Sequence, residues 1–104
     1  MTAYQALYAR QFHEQLMELP ESVYEKIEHS VDIVLDNPGL LRDYDPPYEA
    51  AIPPMECKWY YVPGSYKVIY LTIDDTARLI RFLLLGDTRE DPCIVSTAWI
   101  FVLR

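Results

Sequence analysis

Residues 43–54, DYDPPYEAAIPP, hold four prolines in twelve positions, and this constrains the chain more than any other feature. Proline fixes φ and has no backbone N–H to donate, so the stretch is neither helix interior nor central strand. It reads as a loop, and it separates two kinds of hydrophobic pattern. Before it the apolar residues recur at helical spacing; after it they alternate as in strands.

In the first half, Phe12, Leu16 and Leu19 are spaced with polar Gln11, His13, Glu14 and Gln15 between them, which predicts a short amphipathic helix from Arg10 onward. Tyr4 to Tyr8 precedes it as a short strand. Pro20 suits the first turn of a second helix, Glu21 complements its positive end, and Val23, Ile27, Val31, Val34 and Leu35 form its apolar stripe. Asp36-Asn37-Pro38-Gly39 stops it. The pair reads as a helical hairpin with an acidic outer face. His13 and His29 sit beside acidic residues on solvated helix faces.

In the second half, Met55 to Val62, Tyr66 to Ile73 and Ala77 to Leu85 are strand-like runs. Pro63-Gly64-Ser65 and Asp74-Asp75-Thr76 turn one into the next, so the three form an antiparallel meander. The fold expected is therefore α+β: an N-terminal strand and a helical hairpin packed on one face of an antiparallel β-meander. At 104 residues and 51% hydrophobic content the chain supports one core, so residues 1–104 are read as a single domain. Its tail, residues 93–104, is apolar from Cys93 to Leu103 except for Ser96 and Thr97. The tail fits a further strand, a helix on the sheet or an exposed end.

The opening residues lack a secretory signal pattern, and no apolar run approaches the roughly 20 residues that span a bilayer, so a cytoplasmic protein without membrane association is expected. Cys57 and Cys93 form no CxxC pair and no zinc-ligand set, which predicts free thiols, no metal and no cofactor. The net charge of -7 opposes indiscriminate binding to nucleic acid. That charge lies wholly in residues 1–52, whereas residues 53–104 balance. From Lys58 to Arg81 four cations face two anions.

That basic stretch contains KWYYVPGSYKVIY, in which lysines stand among tyrosines and a tryptophan. Alternation puts Cys57, Trp59 and Tyr61 on one face, and Lys58, Tyr60 and Val62 on the other. Lys67, Ile69 and Leu71 likewise oppose Tyr66, Val68 and Tyr70. The more apolar set of the first run is expected against the helices, which would leave Lys58, Tyr60 and Lys67 together on an open face.

The N-terminal strand, the hairpin containing LPESVYEKI and VLDNP, and the meander CKWYYVPGSYKVIYLTIDDTARLIRFLLLGDTRED together resemble the RelE/ParE superfamily of bacterial toxin-antitoxin toxins. The resemblance covers residues 4 to about 91 and is strongest in GSYKVIYLTIDD and RFLLLGDTRE. It implies a toxin held by a cognate antitoxin. In the RelE-like branch it further implies a metal-independent endoribonuclease that cleaves ribosome-bound mRNA by 2'-OH attack on the adjacent phosphate. That chemistry needs a proton acceptor, cations for the developing charge and a stacking surface. By position, the resemblance assigns catalytic roles to Lys58, Lys67 and Arg89. Lys67 stands where the family has arginine, Tyr60 where a second lysine is common, and Thr88 holds the exact spacing from Gly86 that Arg89 nearly matches.

Tyr60, Tyr66, Arg78 and Arg81 are the accompanying candidates for RNA contact. Each also has a plain structural reading, as a solvated strand cation or a packing tyrosine. The alternative function is a non-catalytic protein of the same fold: a gyrase-type inhibitor, or a relic that only binds its antitoxin.

Overall fold

A computed structural model of the chain describes residues 4–43, 57–89 and 101–103. In chain order these form β1 (Gln5–Ala9), α1 (Arg10–Met17), α2 (Glu21–Asp36), a 3-10 turn (Pro38–Leu40), β2 (Arg42–Asp43), β3 (Lys58–Tyr61), β4 (Lys67–Asp74), β5 (Leu79–Asp87) and β6 (Phe101–Leu103). The strands make one sheet in the order β2-β3-β4-β5-β1-β6. The meander β3-β4-β5 is antiparallel, as its turn chemistry predicts. The N-terminal strand joins the far side of β5 in parallel, which makes the sheet mixed.

Two details differ from expectation, and the choice left open for the tail is decided for three of its residues. Asp43, read as the start of the loop, lies in a two-residue strand that pairs with β3. Pro20 precedes the second helix as its N-cap instead of entering the first turn, and its carbonyl accepts from Val23 N and Tyr24 N. From the tail, residues 101–103 pair antiparallel with β1. The proline-rich loop from 44 to 54, the expected strand start at 55–56, Cys93 and the rest of the tail lie outside the described residues.

Both helices bury the faces that their spacing implies. Phe12 and Leu16 from α1, and Ile27, Val31 and Val34 from α2, join Val62, Ile69, Leu71, Ile80, Phe82 and Leu85 in the main core. Tyr8, Phe12 and Phe82 meet edge-on or tilted at centroid distances of 4.8 to 5.6 Å. The Tyr8 hydroxyl, carried into this core, donates to Glu28 Oε2 at 2.6 Å. Glu28 thus satisfies a buried polar group and is not merely part of a solvated helix face.

Strand alternation predicts correctly which residues share a face, but the helices cover the face opposite to the one expected. Val62 and Tyr60 belong to the helix side, so Lys58 and Lys67 point to that side too. Cys57 and Trp59 lie on the opposite face, where they form a second apolar cluster with Val68, Tyr70, Leu83 and Leu84. Apolarity could not choose between the faces because both carry a cluster.

Between the pairs Tyr70–Leu84 and Leu71–Phe82 the β4–β5 register shifts, leaving Leu83 as the extra residue of a bulge on β5. The bulge lets adjacent Leu83 and Leu84 both serve the second cluster while Phe82 and Leu85 serve the main one. Just beyond it, β1 no longer flanks β5, since their register ends at Tyr8–Phe82. The Gln15 side chain fills that place: its Nε2 donates to Leu85 O, and its Oε1 accepts from Leu85 N, each at 2.8 Å. A single amide thereby substitutes for a neighbouring strand and ties α1 to the sheet.

Candidate functional site

The hairpin register sets Lys67 directly opposite Asp87, where β4 begins and β5 ends. The next turn brings Arg89 back onto that carboxylate. Arg89 Nε donates to Asp87 Oδ1 at 2.8 Å and its NH2 to Oδ2 at 2.7 Å, while the Arg89 backbone N–H donates to Oδ1 at 2.9 Å. Lys67 Nζ stands 3.8 Å from Oδ2. The Arg89 guanidinium also lies 4.2 Å from the Tyr66 ring centroid, in cation–π geometry. Tyr66 is 57% exposed. Thr88, the alternative match to the closing basic residue, is exposed and donates its backbone N–H to Tyr66 O.

Two cations therefore meet one carboxylate at a single corner of the sheet, and a ring stacks on one of the cations. The Arg89 side-chain hydrogen bonds, followed by its backbone N–H, hold the Asp87 carboxyl well below the usual carboxylate range. The group stays ionised at any physiological pH. Sequence reasoning missed Asp87: extended from the Asp74–Arg78 turn without interruption, the register would set Lys67 opposite Gly86, and only the extra residue on β5 brings Asp87 there.

The turn beneath this corner is well fixed. Ser65 Oγ donates to Val62 O and accepts from Lys67 N. Tyr61 OH donates to Ser65 O. Gly64 adopts a left-handed φ of 76°, and its carbonyl accepts from Lys26 Nζ on α2 at 2.9 Å. Lys67 is thus presented from a braced hairpin.

The other candidates are dispersed. Lys58 pairs with Leu71 on the same side of the sheet as Lys67, yet four residues of strand separate it from the Val62–Lys67 position, about 13 Å along the strand. Tyr60 stands between them, half-buried against the main core. Arg81 projects from the opposite face, 3.8 Å from Asp74 Oδ2. Arg78 occupies the far hairpin turn with a left-handed φ of 56°. There its NH1 donates to Tyr4 OH, which itself donates to Asp75 Oδ1, and its guanidinium lies 5.4 Å from the Tyr4 ring centroid. The structure brings together Lys67, Arg89 and Tyr66, and keeps Arg78 and Arg81 away from them.

Cys57 is buried in the second cluster, and burial pushes its thiol from an ordinary 9.0 up to about 11. Such a thiol is a poor nucleophile. Among the described residues no three His, Cys, Asp or Glu side chains gather as a metal-ligand set, and no helix is long and apolar enough to cross a membrane.

No protein-family model matches the chain, and no curated protein sequence does. Solved structures do match. A chain of the archaeal RelE-RelB complex from Pyrococcus horikoshii OT3 superposes with a TM-score of 0.65 at 13% identity, over 83% of this chain and 96% of that one. A chain of the intact E. coli RelBE toxin-antitoxin complex gives 0.61 at 15% identity, over 82% and 96%. The isolated E. coli RelE toxin gives 0.59 at 17% identity, over 82% and 84%. The chain has the RelE toxin fold.

Proposed function

We propose, starting from the RelE toxin fold, that this protein is the toxin of a toxin-antitoxin module and cleaves mRNA on the ribosome. The observation that carries the reading is the gathering of Lys67 and Arg89 beside the exposed Tyr66 ring, in a chain whose net charge is -7. Cleavage by 2'-OH attack places extra negative charge on the phosphate oxygens in the transition state. Lys67 and Arg89 supply cations for that charge, and Arg89 does so with a planar fork suited to two oxygens. Tyr66 offers a face for a base. Lys58 is assigned proton transfer from the 2'-OH.

The protein partner is a cognate antitoxin, as in the RelE-RelB and RelBE complexes that share the fold. Ribosome and mRNA complete the set of partners. The proposed step calls for no cofactor and no metal. The acidic helical half repels free RNA, which favours a substrate delivered by the ribosome over naked RNA.

One observation favours a second reading. Lys58 and Lys67 leave the sheet about 13 Å apart along the strand with Tyr60 between them, so Lys58 is not gathered into the corner as Arg89 is. That suits a non-catalytic binder of this fold, acting on gyrase or only on an antitoxin. Purified protein is incubated with translating ribosomes and a defined mRNA, and separately with gyrase and relaxed plasmid. Discrete mRNA cuts that require ribosomes support the toxin reading. Blocked supercoiling, or no effect in either assay, supports the alternative.

A further inference from the structure

The Lys67–Arg89 corner is built like an oxyanion site, and a carboxylate of the same chain occupies it. Asp87 presents its two oxygens to the guanidinium fork at 2.7 and 2.8 Å, with the Lys67 ammonium on the outer oxygen at 3.8 Å. A phosphodiester presents two non-bridging oxygens to the same donors with similar spacing. The Arg89 side chain is 63% exposed, so an incoming phosphate can reach it from solvent. Its stacking on Tyr66 holds the fork beside an exposed ring.

We infer that Asp87 is an intramolecular competitor for RNA phosphate: it holds Arg89 and Lys67 in place in the free protein and is displaced from them when a phosphodiester binds. The inference deepens the mRNA reading and rests on it for the identity of the ligand. Phosphate is favoured over an acidic peptide because the ring beside the cations offers a surface for a base, which a carboxylate side chain would not use. The Asp87 carboxyl is held ionised well below neutral pH, so release comes from exchange of one anion for another and not from protonation. The device has a simple consequence. With Asp87 in place the corner carries one net positive charge; without it, two. Attraction for free RNA is thereby kept low until a phosphate is positioned with help from elsewhere.

The test measures binding and does not depend on cleavage. A short RNA with 2'-O-methyl groups at every position cannot undergo 2'-OH attack, and its binding is followed by fluorescence anisotropy. D87N removes the charge and retains an oxygen for the Arg89 N–H; D87S is measured beside it as a second uncharged cap, and both are checked by thermal melting. The expected result is binding about tenfold tighter than wild type at low salt for both variants, with the gain shrinking as salt rises. The gain disappears in R89A/D87N and falls in K67A/D87N, and inorganic phosphate competes for it. Unchanged affinity in folded D87N and D87S overturns the inference. So does a gain that survives R89A/D87N, or an equal gain for a poly-glutamate peptide. A wild type that cuts no mRNA while D87N shows the Arg89-dependent gain defeats the mRNA reading and leaves the competitor standing. A wild type that cuts mRNA while D87N gains nothing does the opposite.

Discussion

At the scale of single residues, the chain separates groups held for packing from groups held for charge. Cys57 is the clearest case of the first. Burial raises its thiol to about 11 from 9.0, so the folded state retains a proton that the unfolded state loses first. The sign follows: this contribution is fully present below pH 9 and is lost as pH rises towards 11. The wild type should lose roughly 2–3 kcal/mol more stability than C57A across that interval, read from urea unfolding at each pH. An equal loss in both removes the thiol from the account. Asp87 runs the other way. Its lowered value makes a contribution that is present above the ordinary carboxylate range and lost as pH falls through it. Its part in the corner was not legible in the sequence, because GDTRE shows only a charged run, and only the paired register reveals that Asp87 meets Lys67 across the hairpin.

At the scale of elements, the helices and the meander were readable because their apolar spacing is regular and their breakers are strong. Pro20, Asn37-Pro38-Gly39 and Pro63-Gly64 fall at the ends of elements, as their backbone preferences require. What escaped was the side of the sheet that the helices cover. Cys57 and Trp59 look more apolar than Lys58 and Tyr60, yet the helices cover the latter pair's side, where Val62, Ile69 and Leu71 complete the core. The β5 bulge escaped too, since three consecutive leucines carry no period. Gln15 marks the place where that irregularity is repaired. Q15L should leave the Leu85 N–H and C=O without partners and cost about 2–4 kcal/mol, whereas the neighbouring change at exposed Glu14 should cost almost nothing. Thermal or urea unfolding of the two variants measures the contrast. Gly86 is a second point of tight fit: a Cβ there would come within 2.6 Å of Tyr70 Cε2. G86A should displace that ring and cost about 1–3 kcal/mol by the same measurement. Near-wild-type stability in G86A would mean the Tyr70 ring moves aside freely.

At the scale of the whole molecule, the first strand lies inside the sheet, between β5 and β6, and carries the chain directly into the helix that Gln15 anchors. The proline-rich stretch then separates an acidic helical half from a balanced strand half. Charge is therefore divided between the halves, with the Lys67–Arg89 corner on the less acidic one. The central claim is that this corner acts on mRNA phosphate. The most direct measurement is primer extension on a defined mRNA in a translating ribosome mixture, with wild type, K67A, R89A and the double variant, each matched for stability. The account predicts discrete cuts by wild type and a loss of about a hundredfold for each single variant. It also predicts no detectable cutting by the pair. Cutting by K67A/R89A at the wild-type rate would contradict it, and so would a folded wild type that cuts nothing.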